Sequence, residues 1–158
     1  MAPTGIGIDS HAFAPGRRLV LGGVEIPHDQ GLQGYSDADV LAHAITDALL
    51  GAAGLGDIGQ HFPDTDEQWR GADSMELLRV VAARVGAIEH VDCTVMMERP
   101  KLSPYRDSMR ETLAAAMGIG LGHVNVKATT GEGMGFVGRG EGVAAMAVAT
   151  LERAENYP

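Results

Sequence analysis

The chain has 158 residues, 45% of them hydrophobic, and a formal net charge of −9 at pH 7. This length suits one compact domain, since domains usually contain roughly 100 to 200 residues. The acidic balance argues against nucleic acid and anionic membrane surfaces as main partners, because both attract an excess of Lys and Arg. We therefore predict a single domain over residues 1–158 with no nucleic-acid or membrane partner.

The sequence carries no signal of a membrane span or a leader. No apolar run approaches the roughly 18 residues of a membrane helix, and the start MAPTG lacks the charged and apolar regions of a signal peptide. The single cysteine, Cys93, lies in the apolar stretch VDCTVMM, which favours a core residue over a reactive thiol. We expect a cytoplasmic protein without an internal disulfide.

Strands come first along the chain. The stretch GIGIDSHAF, residues 5–13, begins like an ordinary buried strand, with Ile6 and Ile8 setting the apolar pattern. RRLVLGGVEIP predicts two short strands around Gly22 and Gly23, and Pro27 closes the second. In YSDADVLAHAITDALLGAAGLG a first helix follows, because its apolar residues keep helical spacing.

Cap residues predict where the helices begin and end. The first helix has Ser36 as N-cap and can end at Gly51 or Gly54. The second begins at an Asp73 cap and the third at a Ser103 cap, and glycines at 86 and 118 end them.

Between and after these helices, further strands are predicted. VDCTVMM and HVNVKATT alternate or run apolar, and GVAAMAVATLERA, residues 142–154, fits a strand better than a helix. Strands interleaved with helices predict an α+β fold, an α/β sandwich with a single mixed sheet and helices packed on one face.

Asp9 and His11 are two positions apart on the first strand, so their side chains share a face and can reach one point. Alone, such a pair is also typical of a carboxylate that orients a surface histidine. His43 is a third candidate ligand, because an imidazole in a largely apolar helix needs partners for both nitrogens. Two histidines and one carboxylate suit zinc and leave a coordination position for a substrate.

His43 has Asp39 and Asp47 as its neighbours at i−4 and i+4 on the helix. One of these carboxylates could orient the imidazole from its far side. The alternative is that Asp39 only interacts with the positive end of the helix dipole and that Asp47 is solvated.

Other segments have the composition of ligand-binding loops. In GDIGQHFPDTDEQW, three aspartates either face a ligand or serve as turn residues, and the sequence does not decide between these. Lys101 is one of only two lysines and can form an anion site with the free amides of the third helix, unless its occurrence is chance. The glycine-rich ATTGEGMGFVGRGEG is not a Walker loop but can approach a ligand closely. Together these features predict a zinc-dependent protein that handles a phosphorylated small molecule.

In combination, these motifs closely resemble the 2-C-methyl-D-erythritol 2,4-cyclodiphosphate synthase family of the non-mevalonate isoprenoid pathway. The family's order and spacing are found in GIDSHAF, SDADVLAHAITDALLGAAGLGDIG, FPDTD, RPKLSP, VKATT and GFVGRGEG, which span essentially the whole chain. No one motif suffices, but the set is specific. The resemblance implies an α/β sandwich and a homotrimer with active sites between neighbouring subunits.

The resemblance also implies site residues, position by position. Asp9, His11 and His43 match the zinc ligands, and Glu132 matches a carboxylate that binds magnesium or manganese. Catalytic positions that act on the transferring phosphate are matched by Tyr35 and Thr130. The substrate-binding positions are Ser36, Asp57, Ile58, Gly59, Phe62, Pro63, Asp64, Thr65, Asp66, Phe136 and Arg139. The nucleotide-binding positions are Met97, Glu98, Arg99, Pro100, Lys101, Leu102, Ser103, Thr129 and Gly131.

For function, the resemblance implies conversion of 4-diphosphocytidyl-2-C-methyl-D-erythritol 2-phosphate to 2-C-methyl-D-erythritol 2,4-cyclodiphosphate with release of CMP. Such an enzyme is a phosphorus-oxygen lyase, a cyclase that acts on a small cytidylyl diphosphate substrate. Because nucleophile and target are both anions, they must be neutralised and aligned, which two divalent cations can do. Zinc and either magnesium or manganese are the implied cofactors.

Three features depart from the family. Tyr35 stands where a histidine commonly precedes the Ser-Asp pair, and its neutral phenol can donate one hydrogen bond but carries no imidazolium charge. Gly131 and Gly133 flank Glu132 where many members have threonine and a basic residue, so we expect a more flexible loop. The chain begins and ends with this domain, so we expect the form without a fused cytidylyltransferase.

Two other functions stay open. One is a zinc-dependent phosphohydrolase on the same scaffold, in which water replaces the internal phosphate as nucleophile. The other is a non-catalytic trimer that binds isoprenoid or nucleotide phosphates, for which Tyr35 is the only indication in the sequence.

Overall fold

A computed structural model describes residues 1–153 of the protein. The strands are β1 (Thr4–Pro15), β2 (Leu19–Leu21), β3 (Val24–Ile26), β4 (Gln30–Leu32), β5 (Ile88–Met96), β6 (Val124–Thr129) and β7 (Gly142–Leu151). The α-helices are α1 (Val40–Ala53), α2 (Ile58–His61), α3 (Ser74–Val85), α4 (Arg106–Met117) and α5 (Gly135–Gly138). This mixture confirms the α+β class and the final strand. Ala154, the end of the stretch predicted as that strand, and the rest of the predicted domain lie outside the described residues.

Five strands form one mixed sheet in the order β4-β1-β7-β5-β6. The β5 and β6 pair is parallel, whereas the other neighbours are antiparallel. The prediction of a single sheet is wrong, because β2 and β3 form a separate two-stranded sheet. Gly22 and Gly23 have φ values of 55° and 74°, and two such residues make a tight turn that folds one strand back on the other.

Helix α1 packs directly against β1 because the residues of β1 that face it are glycines. A Cβ atom on Gly5 would lie 2.1 Å from the carbonyl oxygen of Ala48, and one on Gly7 would lie 1.8 Å from that of Ala44. Only a residue without a side chain permits this approach.

The isoleucines that alternate with these glycines face away from the helix. Ile6 is 59% exposed and Ile8 is 62% exposed. The prediction that this strand is buried in the ordinary way is therefore wrong, because its buried face is made of glycines and its apolar side chains are on the open face of the sheet.

The core lies between the buried face of the sheet and the helices α1, α3 and α4. It is built mainly from aliphatic side chains, the largest fully buried ones including Leu41, Ile45, Leu49, Leu78, Met109 and Leu113. Cys93 belongs to this core, and burial raises the pKa of its thiol to about 12, which confirms it as an unreactive core residue. Within residues 1–153, the helices fall short of the length and apolarity that crossing a membrane requires.

The first helix begins later than predicted. Its N-cap is Asp39, whose side chain accepts a hydrogen bond from the amide of Ala42 at 3.0 Å. Ser36 is not the cap, because Ala38 has φ 58° and turns the chain before the helix can start.

The third helix also differs at its start. Ser103 opens a 3₁₀ turn, Ser103–Tyr105, whose N-cap is Leu102, and α4 begins only at Arg106. Since Ser103 lies inside this turn rather than before it, its hydroxyl is not in the capping position. The other predicted ends are confirmed at Gly54, Asp73, Gly86 and Gly118.

Candidate metal centre and substrate pockets

Three side chains converge where α1 crosses β1. Asp9 and His11 project from β1, and the close packing of α1 brings His43 opposite them. Oδ2 of Asp9 lies 2.8 Å from Nε2 of His11 and 3.1 Å from Nδ1 of His43, and those two nitrogens are 3.3 Å apart. One ligand atom from each residue lies within 4.8 Å of the others, which is compact enough for a shared cation.

The donor set of this centre fits zinc. Two imidazoles and one carboxylate are a recurrent catalytic zinc set, and three protein ligands leave a fourth position for substrate. Within residues 1–153, this is the group of His, Cys, Asp and Glu side chains that has the geometry to hold a metal ion.

The three groups shift one another's protonation. Burial alone would raise the pKa of Asp9, but hydrogen bonds and charge from His11 and His43 lower it to about 2. Burial alone would lower the pKa of His11, but the bond to the Asp9 carboxylate and its charge raise it above the usual 6.5. The carboxylate is therefore ionised at neutral pH, and a proton on His11 competes with a cation for the centre.

The protein contacts the far nitrogen of each imidazole. Nδ1 of His11 lies 2.8 Å from the carbonyl oxygen of Gln33. Nε2 of His43 lies 2.8 Å from Oγ of Ser74 and 3.2 Å from Oγ of Ser36. These contacts orient both rings so that their other nitrogens face Asp9.

Neither carboxylate predicted to orient His43 does so. Asp39 is fully buried and accepts hydrogen bonds from the amides of Gly22 and Gly23 at 2.9 and 2.8 Å. Asp47 accepts one from the amide of Ile58 at 2.7 Å. The two carboxylates bind amides of the β2–β3 turn and of α2 instead. Helical spacing could not predict this, because these amides come from other segments of the chain.

A cavity of about 440 Å³ borders the centre. The predicted residues that line it are His11, Tyr35, Ser36, His43, Ile58, Gly59, Phe62, Pro63, Asp64 and Thr65. Trp69 and Leu77 also line it and were missed by sequence reasoning. Trp69 is the only tryptophan, and its place in the same irregular segment is the signal that could have found it.

Two predicted substrate residues have local structural roles. Asp57 caps α2 by accepting from the amide of Gln60 at 3.0 Å, and Asp66 accepts from the amide of Gln68 at 3.1 Å. Both alternatives of the sequence analysis thus occur in one segment, since Asp64 faces the cavity while Asp57 and Asp66 form turns. Contacts of all three with substrate stay predictions.

A second cavity, of about 190 Å³, lies beyond the ends of β5 and β6. Parallel pairing brings the two strand ends together, and the amide of Met97 donates to the carbonyl of Thr129 at 3.0 Å. The predicted residues that line it are Met97, Glu98, Pro100, Lys101, Leu102, Ser103, Thr129 and Thr130. Arg106, the first residue of α4, also lines this cavity and was missed. Like Lys101, it is a cationic side chain near a helix start and could have been found by the same reasoning. Arg99 and Gly131 adjoin these residues in sequence.

Glu98 holds the glycine-rich loop that follows β6. Its carboxylate accepts hydrogen bonds from the amides of Gly131 and Gly133 at 2.8 and 3.3 Å. Between these glycines, Glu132 has φ 53°, an uncommon conformation for a residue with a side chain. Its exposed carboxylate accepts from the hydroxyl of Thr130 at 3.3 Å. The loop therefore presents one exposed carboxylate beside the hydroxyl that donates to it.

Phe136 and Arg139 belong to neither of these two cavities. Phe136 lines a third recess, of about 260 Å³, together with His11 and Glu141. Arg139 pairs with Glu141, with Nε and Oε1 2.9 Å apart.

Fold and site together define a class: an α+β protein whose Asp-His-His centre borders a pocket of small-molecule size. The family model described as the YgbB family matches residues 2–152, and the chain belongs to that family. The resemblance drawn from the motifs is thereby confirmed.

Relatives and solved structures agree with this assignment. A protein of Rubrobacter xylanophilus named 2-C-methyl-D-erythritol 2,4-cyclodiphosphate synthase is 59% identical over 156 residues, which cover 95% of this chain and 94% of the relative. The bifunctional enzyme IspD/IspF of Anaeromyxobacter dehalogenans is 61% identical over 155 residues, 96% of this chain. This chain spans only 40% of the length of that bifunctional relative.

Among solved structures, bifunctional IspDF of Campylobacter jejuni has a TM-score of 0.93 and 44% identity, covering 98% of this chain and 43% of that one. A 2C-methyl-D-erythritol-2,4-cyclodiphosphate synthase in its CDP-bound form has a TM-score of 0.83 and 39% identity, covering 94% and 99% of the two chains.

Proposed function

We propose that this chain converts 4-diphosphocytidyl-2-C-methyl-D-erythritol 2-phosphate to 2-C-methyl-D-erythritol 2,4-cyclodiphosphate and CMP, in isoprenoid precursor biosynthesis. The observation that carries the proposal is the Asp9, His11 and His43 centre opening into a cavity lined by the predicted substrate residues. Relatives that bear the synthase name are 51 to 59% identical over at least 93% of the chain. The phosphohydrolase and the non-catalytic trimer are not favoured.

The two candidate metal sites differ in chemistry. Asp9, His11 and His43 would hold zinc, and Glu132 would hold magnesium or manganese together with substrate phosphate oxygens, since magnesium usually takes few protein carboxylates. When bound, these cations supply neutralisation and alignment of the phosphates.

The chain's own residues bind and orient the two ends of the substrate. Lys101 and Arg106 carry positive charge at the second cavity, where the turn Ser103–Tyr105 has no side-chain cap on its amides. This end would hold the cytidine and its phosphates. Asp64 and the apolar wall around Phe62 would hold the methylerythritol end and exclude water.

In the reaction, an oxygen of the 2-phosphate forms a bond to the β-phosphorus, and the bond from that phosphorus to the CMP oxygen breaks. The electron pair of the broken bond leaves with CMP. The hydroxyl of Thr130 would donate a hydrogen bond to the transferring group, and that of Tyr35 is a second candidate donor. Because both ends belong to one substrate, the attack is intramolecular and outcompetes water.

The homotrimer is part of the proposal. The two cavities share no lining residue within one chain, as expected if each is completed by a neighbour. The open face of the sheet exposes Ile6, Ile8, Met146 and Val148 on the paired central strands β1 and β7. Contiguous apolar surface of this kind marks an interaction site, and other copies of the chain would cover it. The cytoplasmic location stays a prediction.

The test is a phosphorus NMR time course of the protein with zinc, magnesium and the cytidylyl diphosphate substrate. We expect cyclic diphosphate and CMP from the wild type and neither from His43→Ala. As a matched control, His123→Ala removes an exposed imidazole outside the three cavities described above and should not change the rate. Open-chain products would identify a phosphohydrolase, and tight binding without turnover would identify a binding protein.

A further inference from the structure

We propose that Ser74 and Asp37 form a hydrogen-bond relay that positions His43 and fixes the tautomer in which it binds a cation. The relay lies on the side of the imidazole opposite Asp9. It rests on the proposed function only in that the centre binds zinc, and it concerns two residues that the sequence analysis did not connect to the site.

Three hydrogen bonds connect His43, Ser74 and Asp37 in the relay. Oγ of Ser74 lies 2.8 Å from Nε2 of His43 and donates to Oδ1 of Asp37. The other oxygen of Asp37 accepts from the backbone amide of Ser74 at 3.0 Å. Both carboxylate oxygens of Asp37 therefore bind Ser74, and Ser74 is fully buried.

The chemistry of these groups fixes the direction of each bond. An ionised carboxylate only accepts, so the hydroxyl of Ser74 gives its proton to Asp37 and has its lone pairs left for His43. With a cation at the centre, Nε2 of His43 would then carry the proton, and Nδ1, which lies 3.1 Å from Oδ2 of Asp9, would offer its lone pair to that cation. Hydrogen bonds of this kind orient a metal-binding imidazole and raise its basicity.

The relay draws on three separate parts of the chain. Asp37 precedes α1, Ser74 is the first residue of α3, and His43 lies in the second turn of α1. A backbone bond from the amide of Asp37 to the carbonyl of Ala72, 3.1 Å long, ties the segment before α1 to the segment before α3. The position of the imidazole thus depends on how α3 packs beside α1.

The test measures zinc affinity of the metal-free protein by competition with a chromophoric chelator, without substrate. We expect Ser74→Ala to weaken zinc binding about 10- to 100-fold, the usual effect of losing such a partner. Ser74→Thr keeps the hydroxyl and should restore affinity. The absorption spectrum of the cobalt-substituted protein should change in Ser74→Ala and not in Ser74→Thr.

Thr46→Val is the matched control. Thr46 is a fully buried residue of α1 whose hydroxyl donates to the carbonyl of Ala42 at 2.7 Å, away from the imidazole of His43. Its loss should lower thermal stability and leave zinc affinity unchanged, which separates a general folding defect from a defect in positioning.

Unchanged affinity in Ser74→Ala, or equal losses in Ser74→Ala and Ser74→Thr, would overturn the relay. If Ser74→Ala does not fold, Asp37→Asn takes its place, and an affinity equal to wild type would overturn the relay. A wild type that binds no zinc would contradict both the relay and the metal dependence of the proposed function. Tight zinc binding without cyclic product would contradict the proposed function alone.

Discussion

The hydroxyl of Tyr35 donates a 3.1 Å hydrogen bond to the carbonyl oxygen of Asp66. The amide of Gly71 donates to the carbonyl of Tyr35 at 2.9 Å, and the guanidinium of Arg70 lies 5.3 Å from the centroid of the Tyr35 ring. Tyr35 thus holds the loop that forms much of the wall of the cavity beside the candidate metal centre. The contact with phosphate predicted for this phenol would require that hydrogen bond to be exchanged.

The variant Tyr35→Phe tests whether the Tyr35 hydroxyl holds the loop or contacts the reacting phosphate. We expect stronger acrylamide quenching of Trp69, which is in this loop, and a KM raised roughly fivefold, the equivalent of about 1 kcal/mol for one hydrogen bond. Tyr105→Phe is the control for the quenching measurement. A fall in kcat with unchanged KM and quenching would instead indicate a direct contact with the reacting phosphate.

Zinc affinity should rise with pH. Burial lowers the pKa of His11, but the hydrogen bond to Asp9 outweighs it, so the pKa is raised above 6.5. His11 must lose its proton before it binds zinc. We expect the apparent Kd to fall between about pH 6 and 8, with release of protons measurable in weakly buffered solution. An affinity independent of pH over this range would contradict the prediction.

Without metal, the stability that His11 contributes depends on pH in the direction opposite to zinc affinity. The raised pKa of His11 contributes stability below pH 6.5 that is lost as pH rises through its folded-state pKa. The lowered pKa of Asp9 contributes stability above pH 3.8 that is lost as pH falls towards about 2. Thermal melts of metal-free protein should therefore show a fall in Tm on the alkaline side that zinc removes.

Ile6→Asp should convert the proposed trimer to monomers, because a carboxylate would be buried without a partner at its interface. Sedimentation velocity of both proteins checks this. Val80→Asp is the control, since Val80 is an exposed apolar residue of α3, away from the open sheet face. A wild type that sediments as a monomer would refute the trimer, and with it the shared active site.

Gly7→Ala should destabilise the fold and weaken zinc binding together. The new Cβ would lie 1.8 Å from the carbonyl oxygen of Ala44, so α1 must move and carry His43 with it. Overpacking of this kind lowers the free energy of unfolding by about 1 to 3 kcal/mol. Urea denaturation checks this, with Gly122→Ala as the control, since a Cβ there meets nothing within 4 Å.

Local patterns predicted much of the secondary structure and the three candidate metal ligands. Helical spacing and cap chemistry placed four of the six ends of the three predicted helices, because both depend on residues within one turn of each other. Asp9 and His11 could be paired from sequence since alternate residues of a strand share a face. The start at Ser36 failed because the left-handed conformation of Ala38 leaves no such local signal.

What the sequence by itself determined is therefore six of the seven strands, the three longest helices, the Asp-x-His pair and the family to which its motifs belong. Only the tertiary structure decided which face of β1 is buried, which carboxylates reach His43, and that Ser74 and Asp37 stand behind its imidazole. The physical reason is the distance along the chain between the residues that interact. Periodicity and capping are set by neighbours in the chain, whereas these contacts join segments up to 37 residues apart that meet only when the helices pack.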